Sequence, residues 1–508
     1  MRCRRPLLLL YCLLAFFLLH CARSSESHTD LRVLIEADPA HFDPRIGGDQ
    51  ASIRLHQLLY NGLVVIDDQG LPAPSLAEHW EQEDDRTYLF KLRPGLRFHD
   101  GRPVTAADVA FTIDSVRNGE VVSTFKKDLE LIAASEIIGP LTIRFRLKQV
   151  FAPFLTRLTL GILPKDSPPD NRKPVGTGPY MLKEYRWGDR IDLVANPDYF
   201  RGPPAISRVQ LRIVPDETSR LLEIRKGTAD LVYGDISPDH IEQLRTDPRY
   251  QVFTGDSWKY DYIGFNLEDP ILSDPRVREA IAYAIDREKI ISHLLRGRAR
   301  LATGMLSPGH WAYEGNVRKY RHDPHRAAKI LDDAGYPDPD GNGPRPRIVL
   351  EYKTSNSELA RRKAAVFQEQ LRQVGIKIRI RTNEWATFFE DIRKGRFQIY
   401  SLTWTGVDDP DLYRFRFHSQ SVPPNGANRN RYRNPELDRL LEEGYQETDL
   451  DRRKRIYAQV QKILAVDLPE ISLWHGEEIA VVKRDLLGFR LSPSGDFRVL
   501  GELRWRER

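Results

Sequence analysis

Cysteine is almost absent from this chain. Only 3 occur among 508 residues, and Cys3, Cys12 and Cys21 all fall within the first 21 positions. From residue 22 onward there is no disulfide, no thiol nucleophile and no cysteine metal ligand. None of the 13 histidines belongs to an H-E-x-x-H pair, and no G-x-S-x-G elbow presents a serine. The sequence therefore names no catalytic residue, no cofactor and no metal site, and an enzyme is not expected. Lysine and arginine never form a contiguous patch. The formal charge of +5 falls to +2 once Arg2, Arg4 and Arg5 are set aside, which argues against nucleic acid as a partner.

Long apolar runs are scarce too. Leu7–Leu19 is too short for a comfortable membrane span, and the arginines before it make it the core of an export signal. It closes as Leu18-Leu19-His20-Cys21, which resembles a bacterial lipobox, where the cysteine is lipidated. His20 departs from the small residue usual at that point. The expected location is the periplasm or cell envelope, with the protein lipid-anchored through Cys21 or cleaved and free.

What remains is ordinary globular composition, 41% hydrophobic and 29% charged. At this length one core does not suffice, so two or three compact units are expected. The chain shows no internal repeat. Leu31–Ile35 reads as a first strand, Ser52–Leu63 as a helix running into a Val64–Ile66 strand, and Tyr88–Leu92 as another strand. Pro94-Gly95 and Asp100-Gly101 flank a predicted Leu96–Phe98 strand. Thr105 with Asp108 predicts a capped helix whose face is Val109, Ile113 and Val116. Further on, Asp274-Pro275, Asp286 and Asp323-Pro324 each predict a helix start. Arg347–Tyr352 and Ile376–Arg381 read as strands around a Ser357–Val374 helix. Helices are predicted over Asn434–Glu447 and Leu450–Val466, and strands over Ile471–Trp474 and Ile479–Val482. Strands alternating with helices argue for α/β lobes with mixed sheets.

The stretch Arg396–Phe415 carries the most chemistry. Phe397, Ile399, Tyr400 and Leu402 predict a strand that delivers Trp404 to its end. Gly406 lets the backbone turn, and Val407-Asp408-Asp409-Pro410-Asp411 makes an acidic loop. An aromatic beside carboxylates at a strand's end suits a cleft for a cationic, partly apolar solute. The same residues also read as a core tryptophan followed by a solvated turn.

Several segments together resemble the family 5 extracellular solute-binding proteins, which include oligopeptide-, dipeptide- and nickel-binding proteins of bacterial ABC importers. They are the string FKLRPGLRFHDGRPVTAADVAFTIDSV, Pro174–Tyr180, Asn196–Phe200, Pro215–Thr218, Lys226–Asp230, Gly264–Asn266 and Asp274–Arg287. The resemblance spans nearly the whole chain after the export segment. It implies an α/β, two-lobed, periplasmic-binding-protein-like fold (type II, cluster C), with a hinge and an extra subdomain in the first lobe. The implied division is a first lobe of residues 31–46, 171–262 and 476–508, with 47–170 as its subdomain and 263–475 as the second lobe. Residues 1–21 are then the signal and 22–30 a linker, and the chain crosses between lobes near Tyr262–Asn266 and Trp474–Ile479.

In oligopeptide-binding relatives, an E-W-x-T-F element puts its tryptophan in the cleft nineteen residues before a second cleft tryptophan. Trp385 and Trp404 have that spacing. The relatives' ammonium-binding aspartate comes three residues after the second tryptophan, and here that position is Val407. Pro410 follows Trp404 by six residues where the relatives have seven. Asp408 or Asp409 then takes the ammonium role, or the ligand lacks one. Thr405, Gly406, Ala37 and Asp38 complete the expected ligand contacts, and Arg429 either meets a ligand carboxylate or is a solvated surface arginine.

The resemblance implies capture of an oligo- or dipeptide by a monomer that serves an ABC permease. A sensory receptor of the same fold and a secreted hydrolase are the alternatives. Two motifs fall away on inspection. Asp338–Gly343 opens like a calcium loop, but Val349 stands where its last ligand belongs. Gly176-Thr177-Gly178 lacks the third glycine and the G-K-[ST] of phosphate loops.

Overall fold

The computed structural model describes residues 30–507 except 170–172, 235 and 342; the export segment and Cys21 lie outside the described residues. One large mixed sheet runs through the molecule. In spatial order its strands are Ile376–Asn383, Ile348–Ser355, Ile399–Trp404, Tyr250–Phe265, Glu470–Lys483, Leu231–Tyr233, Asp30–Ile35, Arg208–Ile213, Arg190–Ala195 and Tyr180–Arg186, and Ala299–Leu301 also pairs with Glu470–Lys483. The central pair, 16 and 14 residues long, is two to three times the length of an ordinary strand. These two strands lie antiparallel, with their register shifted between Asp256 and Tyr260. They join the two halves of the sheet, and each half carries its own helices and core. The architecture is α/β and two-lobed, with mixed sheets.

In the first half, Asp30–Ile35 lies parallel to Arg208–Ile213 and Leu231–Tyr233. A strand paired on both edges and covered on both faces needs a nearly continuous apolar run, and Leu31-Arg32-Val33-Leu34-Ile35 supplies it. In the second half, Ile348–Ser355 lies parallel to both Ile376–Asn383 and Ile399–Trp404. Val277, Ile281, Ala327, Phe367 and Leu371 pack helices onto that sheet. A separate four-stranded antiparallel sheet, Ala77–Asp84, Thr87–Leu92, Thr142–Leu147 and Ile132–Gly139, holds a core of Phe90, Val109, Ile113 and Phe145 against helix Ala106–Arg117.

The predicted helix starts are present. Asp108 Oδ2 accepts from both the Thr105 amide and its hydroxyl, at 2.8 and 2.7 Å. Asp274, Asp286 and Asp323 each cap the helix that follows. Three elements differ from expectation. Helix Gln50–Leu59 stops before Leu63, because Gly62 packs directly on the Thr159 backbone, where a helical turn has no room. Leu96–Phe98 makes only an isolated bridge between Arg97 and Pro103. The two short strands expected near the C-terminus are one strand, Glu470–Lys483. Its His475-Gly476-Glu477-Glu478 interruption looks like a loop in sequence, but the segment is held by the long partner strand and by Ala299–Leu301. Among the described residues no helix is long and apolar enough to cross a membrane.

Candidate functional site

Strand Ile399–Trp404 ends at Trp404, which is half-buried. Gly406 follows at φ 73°, a left-handed conformation that costs a glycine nothing. Thr405 and Gly406 are exposed at this bend. Two guanidinium groups lie against the indole. Arg416 Cζ is 5.0 Å from the Trp404 ring centroid and 4.3 Å from that of Tyr262. It is buried, and Glu470 neutralises it at 2.6 Å. Arg429 Cζ lies 5.4 Å from the Trp404 centroid and 5.0 Å from that of Phe389.

Arg429 is therefore not a solvated surface arginine, being only 9% exposed. Its guanidinium makes one hydrogen bond to a described residue, from Nη1 to Tyr262 Oη at 3.2 Å. No carboxylate among the described residues lies within ion-pair distance. Trp385 extends the row by stacking on Phe389, 5.7 Å between centroids at 17°. Glu384 caps that helix by accepting from the Ala386 and Thr387 amides, which leaves Trp385 in its first turn, 52% exposed. Trp385, Phe389, Arg429 and Trp404 thus form one aromatic and cationic wall. Its ring faces are spread for a flat or apolar group, and its guanidinium lacks an anion.

Val407 and the three acids of the acidic loop behave differently. Val407, where the peptide-binding relatives carry their aspartate, is 1% exposed and packs among Leu402, Tyr413 and Tyr457. Asp408 is half-buried, and its carboxylate forms no ion pair with a described residue. Burial raises its pKa, and the Arg157 charge opposes that rise. Asp409, offered above as a ligand contact, is engaged within the protein. Its carboxylate receives Arg453 Nη2 at 2.7 Å and Nη1 at 2.9 Å and the Asp411 amide at 2.7 Å. Burial by itself would raise Asp409, but Arg453 holds it below the usual carboxylate range. Asp411 has no such partner. Burial, then the neighbouring Asp409, pushes it up to about 6, and its Oδ1 forms no hydrogen bond.

Asp38, also offered above as a ligand contact, is likewise engaged within the protein. Its carboxylate accepts from Tyr185 Oη at 2.8 Å and the Gly188 amide at 3.0 Å, so it anchors the hairpin between Tyr180–Arg186 and Arg190–Ala195. Ala37 lies exposed next to it and is not brought to the Trp404 wall by any contact. Sequence reasoning missed Phe389, Arg416, Tyr262 and Glu470. Phe389, four residues after Trp385 on a helix, was the one of these that spacing could have found.

The turn Asp67–Leu71 closes over the acidic loop from the side of the four-stranded sheet. The Trp311 amide donates to Gln69 O at 2.9 Å. His310 Nδ1 accepts the Ala312 amide, so Nε2 carries the proton and donates to Asp408 O at 3.2 Å. Burial holds this imidazole neutral, down to about 4. Gly70, at φ 87°, packs so closely that a Cβ there would sit 2.7 Å from His310 Nε2 and 3.1 Å from Asp408 O.

This arrangement is a binding wall with a seam beside it. The description "Bacterial extracellular solute-binding proteins, family 5 Middle" matches residues 72–423. The chain is 28% identical over 524 residues to the oligopeptide-binding protein AppA of Bacillus subtilis, covering 95% of each chain. The structure of that AppA in complex with a nonapeptide superposes with a TM-score of 0.78 at 26% identity, covering 94% of this chain and 99% of that one. Heme-binding protein A of Haemophilus influenzae is 29% identical over 511 residues, covering 93% of this chain and 92% of its own. NikZ from Campylobacter jejuni, in complex with Ni(L-His), superposes with a TM-score of 0.80 at 25% identity, covering 94% of this chain and 99% of that one. With the fold, the length and the family match in agreement, the chain belongs to the bacterial extracellular solute-binding proteins of family 5, the non-enzymatic substrate-binding components of ABC transporters.

Proposed function

We propose that this protein captures a short peptide, or a solute equally zwitterionic, between its lobes and delivers it to an ABC permease. One observation carries the reading: the guanidinium of Arg429 lies against Trp404 with no ion pair to a described residue, and the loop that follows Trp404 carries, at Asp408, a carboxylate with no ion pair to a described residue either. A ligand carboxylate would pair with Arg429 and an ammonium with Asp408, while an apolar side chain lies on Trp404 and Trp385. Both charges are held in a partly desolvated place, where each pairing is strong. Thr405 and the Gly406 backbone line the bend between them.

The proposed moving parts are a first lobe of residues 31–46, 171–262 and 476–508 with its subdomain 47–170, and a second lobe of residues 263–475. Ligand touching both favours the closed form by the difference in affinity between states. The protein is proposed to act as a monomer at the cell envelope, anchored through Cys21. Titration calorimetry of Ala-Phe-Ala, its N-acetyl form and its C-terminal amide tests the reading. Blocking either end is expected to cost about 2–5 kcal/mol of affinity, as is Asp408→Asn or Arg429→Met with the free peptide. Equal affinity for all three peptides would overturn it.

A further inference from the structure

A second cavity, of about 210 Å³, opens inside the second lobe. All its lining residues fall between Tyr260 and Ser472, and none belongs to the Trp385–Phe389–Arg429–Trp404 wall. The apolar part of its lining is Leu301, Met305, Phe417, Leu464, Leu468 and Ile471. Such a volume suits a ligand of about a dozen non-hydrogen atoms, below the size of a typical drug pocket.

Two features of the lining point to what it takes. The first is the Tyr413 hydroxyl, 1% exposed and without a hydrogen-bond partner. The Met305 and Leu306 amides near it are donors, and among the described residues no acceptor within hydrogen-bond distance takes the phenol proton. A buried hydroxyl in that position is costly unless something supplies one. The second is the charge of the mouth. Arg287, Arg318, Lys319 and Arg321 line it against Asp286 and Glu288. Lys319 and Arg321 have no acidic partner among the described residues, and buried Arg287 spends its hydrogen bonds on the Ser472 and Tyr320 carbonyls. The acid farther in, Glu470, is neutralised by Arg416.

We infer that this cavity is a second ligand site, for a short aliphatic carboxylate that bears an oxygen acceptor at its far end. The carboxylate lies at the Lys319 and Arg321 mouth, the chain along the leucines, and the distal oxygen on the Tyr413 hydroxyl. The inference does not rest on the peptide reading of the cleft.

Titration calorimetry on the full chain after the export signal tests it, with 7-oxooctanoate, octanoate and octylamine as probes. The oxo acid is expected to bind one to one and roughly fivefold tighter than octanoate, the worth of one hydrogen bond, and octylamine not at all. Tyr413→Phe should erase the difference between the two acids without lowering the apo melting temperature. Gly304→Ala should weaken both acids, because its Cβ would reach 3.4 Å from Tyr413 Oη and 3.9 Å from Gln461 Oε1 without a clash. Arg429→Met should leave both acids bound. The inference falls if neither acid binds saturably, if octylamine binds as well as they do, if both cavity variants bind like the wild type, or if Arg429→Met abolishes binding.

Discussion

Replacing Asp411 by asparagine is expected to make this protein more stable at neutral pH. The carboxylate is 8% exposed, one of its oxygens has no hydrogen-bond partner, and its side chain caps nothing at the helix Leu412–Phe417 that follows. Burial and the Asp409 charge raise its pKa from 3.8 to about 6. The folded state therefore holds this proton more tightly than the unfolded chain does. Stability associated with Asp411 is full below about pH 4, falls as pH rises from 4 to 6, and is lost above 6. A shift of about two units at 1.36 kcal/mol each corresponds to roughly 2–3 kcal/mol at pH 7.5. Asparagine keeps the shape and carries no charge, so it should recover most of that amount at pH 7.5 and almost none at pH 4. Urea unfolding of wild type and variant across pH 4–8, without ligand, measures the difference. An Asp411→Asn variant that is destabilised at pH 7.5, or whose effect does not change with pH, would refute the electrostatic account of this loop.

The neighbouring acid behaves in the opposite way. Asp409→Ala strands Arg453 in the interior and should cost about 3–5 kcal/mol, read by urea unfolding. Because Asp409 lies below its usual range, its contribution is present above about pH 4 and fades as pH falls below that. Val407→Asp should destabilise the second lobe by at least 3 kcal/mol, because it places an unpaired charge among Leu402, Tyr413 and Tyr457; a folded variant with tighter peptide binding would contradict this. Gly70→Ala should hold the lobes apart through its clash with His310, seen as a larger radius of gyration by X-ray scattering and weaker ligand binding, with a lower melting temperature from alanine held at φ 87°. Trp385→Ala, on a half-exposed ring, should change stability by less than about 0.5 kcal/mol yet quench the fluorescence response to ligand.

Much of this molecule is legible in its amino acids, and the parts that are not share a cause. Asp274-Pro275 and Asp323-Pro324 announce their helices because capping is local: a side chain and an amide two or three residues apart settle it. The strand before Trp404 is equally local in its pattern. The strand Tyr250–Phe265 is not legible, because Gly255, Asp256 and Lys259 break any alternation and its partners, 470–483 and 399–404, hold it extended. The wall followed the same rule. Trp385 and Trp404 were found by spacing, but Arg429 reads as a surface residue until Phe389 and Trp404 are seen to cover it. Asp409 read as a ligand contact because Arg453, 44 positions away, is invisible from the loop.

The crossing strands also set the order in which the chain can fold. Asp30–Ile35 cannot complete its pairing until Arg208–Ile213 and Leu231–Tyr233 arrive. The far edge of Leu231–Tyr233 stays open until Ala480–Val482 closes it, about 250 residues later, so the first lobe finishes last although it begins first. A chain threaded through a membrane from its N-terminus would expose that apolar edge for most of its passage. Pairings so remote in sequence form slowly, and open edges recruit other strands. The proposed second lobe, residues 263–475, is contiguous and can form its own core meanwhile. Loss of the residues after Glu478, which close the edge of Leu231–Tyr233, should therefore yield a folded second lobe carrying an aggregating first one, and not a uniformly weakened protein.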